Sequence, residues 1–288
     1  MCIFSDSYPD ETIDVVSDFI KYKYKKDVII IFDIASLINK LHFSADTSYW
    51  FYKYPDISNL NQYKVYSKEI STYLLYFENQ IKFQNTCLGS FDLNLSINKL
   101  IILELAKECG IDTPNFFILS KGKEISEKIK SNPNIKYISK ALFNWYHLQN
   151  NDELFVSGNP FHLDEIDELK VYLPSMIQEY IDKEFEIRTI FIKPNFFSML
   201  IDSKGNLDYR VSYETNFYSR IKLPLEIESK LSILLEKIKC DFCSIDLIYS
   251  KSKKFYFLEI NPSGQFAWLE KNCNYGLYDK IANYLTQS

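Results

Sequence analysis

Three oxygen-bearing side chains, Asp246, Glu259 and Asn261, stand within two apolar runs, "SIDLIYS" (244–250) and "FYFLEINP" (255–262). The polar stretch "SKSKK" between them predicts an antiparallel hairpin. With the turn centred between Ser252 and Lys253, Asp246 falls opposite Glu259. Opposed residues share a face, and Asn261, two residues on, joins them there. Paired carboxylates repel unless a cation lies between them. An all-oxygen set with few protein donors suits Mg²⁺, which keeps waters and binds substrate phosphates. A surface hairpin whose acids happen to align is the alternative, and the apolar flanks weigh against it.

Five cations complement the acids. Lys99, Lys140, Arg188, Arg210 and Arg220 stand in aromatic or apolar surroundings. A phosphate chain needs such donors, and the arginine fork matches phosphate or carboxylate. Singly, each also fits a surface or helix-end residue. No G-x-x-x-x-G-K-[ST] and no G-x-G-x-x-G occurs, so a nucleotide would be held neither by a P-loop nor by a Rossmann turn. The other reactive residues form no constellation. His42, His147 and His162 are scattered. Cys240 and Cys243 form one C-x-x-C, with no second pair and no nearby histidine.

The elements that position these residues read as three units. The 288 residues, 47% hydrophobic and 25% charged, suffice for several cores. "MCIF" predicts a strand, and Ile13, Val16, Phe19 and Ile20 one face of a helix. "DVIIIFD" (27–33) predicts a fully buried parallel strand. "SYWFYKYP" (48–55), which ends at a proline, predicts a strand near an edge. A helix over 67–83 completes an α/β unit, residues 1–95. The second, 96–178, opens with a helix capped by Ser96 and stopped by Gly110, lined by Leu100, Leu103 and Ala106. Strands at "TPNFFILS", 135–142, "ELFVSGNPF" and "YLPSMIQEYI" follow, mainly antiparallel. The third, 179–288, holds strands at 184–193, 196–202, 243–249 and 254–260, with helices at 224–239 and 276–286.

A net charge of −5 argues against a general nucleic-acid binder. No run approaches the roughly 18 apolar residues of a membrane span. "MCIFSDSYPDE" has neither a basic start nor a long apolar stretch, so a cytoplasmic chain is expected. Six scattered cysteines do not make a disulfide framework.

The chain resembles the ATP-grasp ligases over nearly its whole length. Within them it is most similar to the microviridin-type graspetide synthetases and the grasp-with-spasm peptide maturases. The resemblance rests on "FSDSYPDETIDVVSDFI", "NKLIILELAKECGIDTPNFFIL", "IQEYIDKEFEIRTIFI", "DYR" (208–210) and "CNYGLYDKIANYL". Above all it rests on "FYFLEINPSGQFAWLE". It implies an ATP-grasp fold of mixed α/β (α+β) class: an N-terminal α/β domain, a central lid and a C-terminal antiparallel-sheet domain.

The resemblance also implies ATP and Mg²⁺ as cofactors and assigns roles. Lys99 and Lys140 would contact ATP phosphates. Gln178, Glu179, Tyr180 and Ile181 would meet the adenine edge with their backbone, and Glu186 would accept from ribose or the hinge. Arg188 would stabilise the γ-phosphate and an acyl phosphate, while Arg210 and Arg220 would hold the substrate carboxylate or phosphoryl group. Asp246, Glu259 and Asn261 would carry Mg²⁺, as the register argument also has it. Gly264 and Gln265 would shape the turn beside the phosphates.

The implied reaction joins an Asp or Glu side chain, through an acyl phosphate, to a Ser/Thr hydroxyl or Lys amine. Both groups belong to one ribosomal precursor peptide with leader and core. No nucleic acid or membrane partner is expected, and a homodimer is implied. Addition of a free amino acid, or a silent peptide-binding scaffold, are the rival readings. Two features depart from the family pattern. The stretch after Lys140 has one glycine where relatives carry a glycine-rich lid, and Lys53 stands where they tend to show an arginine pair.

Overall fold

The computed structural model describes residues 1–40, 46–56, 64–140, 142, 159–160, 166–206, 209 and 215–287. Most of the stretch after Lys140, most of "ELFVSGNPF", and Arg210 lie outside the described residues.

The first sheet is parallel, in the order β2 (Ile29–Ile31), β1 (Cys2–Phe4), β3 (Tyr49–Phe51), β4 (Cys87–Gly89). Helix α1 (Glu11–Asp18) begins where the Asp10 side chain accepts from Thr12 N and Ile13 N, and a π-helical turn (Phe19–Lys23) follows it. Ile13, Val16 and Ile20 are fully buried, as their spacing predicts. Helices α2 (Ile34–Lys40) and α3 (Lys64–Lys82) make the other connections. Two strand expectations are reversed. The run around Ile29 forms the edge, with Ile29 39% exposed, whereas Tyr49, Trp50 and Phe51 are wholly buried in the interior. Pro55 lies beyond the three paired residues of β3, so it removes no donor from the ladder.

After α4 (Phe91–Ser96) comes α5 (Lys99–Glu108). Ser96 does not cap it. It ends α4, and Asn98 is the cap, its Oδ1 accepting from Leu100 N at 2.9 Å and Ile101 N at 3.4 Å. Gly110, at φ +76°, takes the left-handed turn that stops the helix. A four-stranded antiparallel sheet follows, ordered β5 (Phe116–Lys121), β8 (Val171–Glu179), β6 (Tyr137–Lys140), β7 (Asn159–Pro160). Helix α6 (Gly122–Lys130) buries Ile125 and Ile129 with Tyr137 and Ile177. Strand alternation sets Ile138, Lys140, Met176 and Gln178 on the opposite face.

The third sheet runs β11 (Phe217–Ile221), β10 (Asn195–Asp202), β9 (Lys183–Ile192), β12 (Phe242–Ser250), β13 (Phe255–Asn261), all antiparallel. One face carries Ile187, Phe191, Ile245 and Leu247 and is covered by α5 and α7 (Leu225–Lys237). The other carries Ile190, Ile192, Met199 and Phe242. It packs against the first sheet's Ile3, Trp50 and Leu88, and against α8 (Ala267–Cys273) and α9 (Leu277–Thr286). Helix α8 and strand β11 have no counterpart in the sequence-based assignment. Ile245, wholly buried between Thr189 and Ile260, anchors the covered face. Ile245→Ala is expected to cost about 2–5 kcal/mol, read as a lower urea midpoint.

Candidate active site

One row of directly opposed residues crosses the third sheet: Glu259 on β13, Asp246 on β12, Arg188 on β9, Met199 on β10 and Arg220 on β11. Opposed residues share a face, so the sheet itself lines up these side chains. The register of Asp246 with Glu259 is the one the sequence predicts, though the path to it differs. The hairpin loop centres on Ser252, half a residue early, with Tyr249 opposite Phe255. A bulge at Leu258 then restores the pairing from Glu259 to Asn261.

The opposed carboxylates are compensated by protein cations, so repulsion alone does not require a metal. That corrects the sequence argument. Arg188 Nη1 donates to Asp246 Oδ1 and Oδ2, both at 2.8 Å. Lys99 Nζ donates to Glu259 Oε2 at 2.5 Å. Burial opposes the charge on both Arg188 and Glu259, and the partners outweigh it. Asp246 holds Arg188 above its ordinary pKa, and Lys99 holds Glu259 down to about 2.

Lys99 is the first residue of α5, where the helix dipole disfavours a cation. Glu259 offsets that cost. Lys140, at the end of β6, is pushed down to about 8 by burial and then by Lys99, against the pull of Glu259, Asp246 and Glu186. Lys183 is a member that the sequence did not reveal. A bulge at Glu184 sets Lys183 opposite Ser250, on the face of Glu186, and the two side chains pair. Lys99, Lys140, Lys183 and Arg188 against Glu186, Asp246 and Glu259 leave this cluster net positive. Asn261 adds its Oδ1, which accepts from Ser263 N at 3.1 Å in a tight turn. Gly264 closes that turn because only hydrogen fits: a Cβ would meet Ser244 Oγ at 1.9 Å. Gln265, beyond it, lines the cleft.

Arg220 is in the row but not in the cluster. Its Nε and Nη2 donate to the Cys273 and Asn274 carbonyls, and it lies 4.7 Å from the Tyr275 ring centre. It caps the carboxyl end of α8, where a cation is favoured, with two of its five donors. Arg210 lies outside the described residues. In the 178–181 segment, Glu179 N donates to Asn115 O and Tyr180 N to Lys136 O. Those two N–H groups are therefore spent. The Glu179 side chain accepts from Asn115, and Ile181 is buried.

Among the described residues several buried side-chain atoms have no hydrogen-bond partner, and two of them, Gln178 Oε1 and Arg188 Nε, lie in this region. One is an acceptor and one a donor, and buried polar atoms left so are costly. They fit a ligand with a donor at one end and an anion at the other, such as an adenine nucleotide. Asp246, Glu259 and Asn261 supply hard oxygens suited to Mg²⁺. Among the described residues, no cluster of three or more His, Cys, Asp or Glu could hold a metal. The set depends on an asparagine as its third donor. The C-x-x-C thiols are buried, and burial pushes Cys243 up, which suits a packing role rather than a reactive one. No helix among the described residues is long and apolar enough to cross a membrane.

Beside this cluster, a cleft of about 740 Å³ is lined by Arg188 and Asn261 on one side and by Asp6 and Lys53 on the other. Arg188→Met, by taking the guanidinium away from a largely buried Asp246, is expected to cost about 3 kcal/mol in unfolding measurements. Adding Asp246→Leu should recover most of that loss.

Residues 96–285 match the family model described as "RimK-like ATP-grasp domain". No curated protein matches the chain in sequence. Several solved structures resemble it in fold. A RiPP-associated ATP-grasp ligase of Chryseobacterium gregarium, in complex with ADP and a leader and core peptide, is 21% identical at a TM-score of 0.82. The alignment covers 99% of this chain and 96% of that one. The macrocyclase MdnC of Microcystis aeruginosa, bound with precursor peptide MdnA, is 19% identical at 0.78 over 100% of both chains. The ATP-grasp ligase PsnB, complexed with minimal precursor, Mg and ADP, is 12% identical at 0.71, covering 99% and 96%. The three sheets are thus those of an ATP-grasp fold.

Proposed function

The chain belongs to the RimK-like ATP-grasp family, and from that premise we propose that it is an ATP-dependent peptide ligase. It joins an Asp or Glu side-chain carboxylate to a Ser/Thr hydroxyl or Lys amine of the same precursor peptide. The observation that carries this reading is the cross-strand row of Glu259, Asp246 and Arg188, flanked by Lys99, which sets hard-oxygen donors beside cations of the kind that suit phosphate. The precursor peptides in complex with the ligases of similar fold support the substrate class.

Asp246, Glu259 and Asn261 would hold Mg²⁺, while Lys99 and Lys140 would hold the nucleotide phosphates. When bound, Mg-ATP supplies the γ-phosphoryl group and the charge neutralisation for its transfer. Arg188 neutralises charge on the phosphoryl group and on the acyl phosphate, a role its buried guanidinium suits. Gln178 Oε1 accepts from the base, and residues 179–181 contribute carbonyls. Glu186, held by Lys183, remains the candidate partner for ribose. Arg210 and Arg220 would hold the substrate carboxylate or phosphoryl group, Arg220 through the donors that its contacts with the end of α8 leave over. The three units read from sequence, 1–95, 96–178 and 179–288, remain our division of the chain. A cytoplasmic location and a homodimer belong to the same proposal.

The test is to incubate the purified protein with MgATP and a small peptide rich in Asp/Glu and in Ser, Thr or Lys, sought among the reading frames beside its gene. The expected products are ADP and a peptide lighter by one water per ring. A heavier peptide would indicate addition of an amino acid instead, and no ADP with no change in mass would refute the ligase. Glu259→Gln should slow ring formation by about 10²-fold or more.

A further inference from the structure

The first sheet has a topological switch point. The connection after β1 leaves toward β2, and the one after β3 leaves toward β4 on the other side. The helices confirm the divergence: α1 packs with the core beside the third sheet, and α3 with the opposite core. In open parallel sheets such a point opens a crevice at the carboxyl ends of the strands, and ligands bind there. Here the crevice lies between Phe4 and Phe51, and the loops leaving those residues bring Asp6 and Lys53 to the cleft that Arg188 and Asn261 line from the other side.

The two walls differ in charge. Lys53 Nζ lies 3.0 Å from Asp6 Oδ1 and 3.5 Å from Asp10 Oδ2, so two carboxylates surround one ammonium and the trio is net negative. The opposite wall belongs to the net positive cluster. A substrate that spans the cleft therefore meets a wall for anions on one side and a wall for donors on the other. Ser7 Oγ and Lys53 Nζ both contact Asp6 Oδ1. Among the described residues no hydrogen bond or ion pair engages Oδ2, and the side chain is 52% exposed.

We infer that Asp6 receives the attacking nucleophile of the peptide, a hydroxyl or neutral amine, and takes its proton in the ring-closing step. The inference rests on the ligase reading and assigns the half of the reaction which that reading leaves without a residue. The nucleophile's oxygen or nitrogen bonds to the acyl carbon, and the carbon–oxygen bond to phosphate breaks with its electron pair leaving on phosphate. The nucleophile's proton passes to Asp6 Oδ2 and from there to water. Asp10 cannot substitute, since its Oδ1 caps α1 and its Oδ2 faces Lys53.

The experiment compares ring closure with hydroxylamine capture of the acyl phosphate, on the peptide that meets the preceding test. The readout is the ratio of ring to hydroxamate. Asp6→Asn, which is isosteric, is expected to lower that ratio by about 10²-fold. Asp6→Glu, which keeps a carboxylate at this wall, is expected to restore much of the ratio. An unchanged ratio in Asp6→Asn, or a ratio in Asp6→Glu as low as in Asp6→Asn, overturns the role. If the wild-type protein yields neither ring nor hydroxamate, the ligase reading itself has failed.

Discussion

The ion pair between Arg188 and Asp246 sets the terms for the rest of the site. Both side chains are mostly buried, at 10% and 18% exposure, and stand on adjacent strands in direct register. Breaking such a pair leaves an uncompensated charge in a poorly solvated place, whereas the pair itself adds little net stability. Its value is positional. It fixes a cation and an oxygen donor side by side on a rigid sheet, and the pairings of β12 with β13 and of β9 with β10 extend the row in both directions.

The surrounding structure serves that row at some cost. Lys99 occupies the unfavourable end of α5, Lys140 is partly stripped of its solvent, and Gln178 and Arg188 each bury an unpartnered atom. Departures from local rules that cluster in one place mark a functional site more reliably than any one of them. Their common remedy is a ligand with a donor at one end and a polyanion at the other. The cleft to the first sheet adds a second polarity, positive on the Arg188 side and negative at Asp6 and Lys53.

Much of this was legible because strand parity is a strict rule. The polar tip and the apolar strands place Asp246 opposite Glu259, although the structure reaches that pairing through an earlier turn and a bulge at Leu258 that the sequence does not mark, and most strands and helices of the third unit fall where periodicity sets them. What stayed hidden depends on irregularities and on distant contacts. The bulge at Glu184 that turns Lys183 into the site leaves no mark in composition. Arg220 lies in the correct row, yet two of its donors go to carbonyls more than fifty residues away. The edge and interior assignments of β2 and β3 were exchanged, since burial of a three-residue strand is decided by its neighbours. Ser96 gave way to Asn98 because a short helix, α4, precedes the lysine helix.

We propose the row as a Mg²⁺–nucleotide site whose protein charges stand ready for the ligand. Calorimetric titration of ADP, with and without Mg²⁺ and across pH, tests it most directly. Mg²⁺ is expected to tighten ADP binding, and affinity is expected to fall as pH rises through about 8, where Lys140 loses its proton. ADP binding that is indifferent to Mg²⁺ and flat through that range would contradict it.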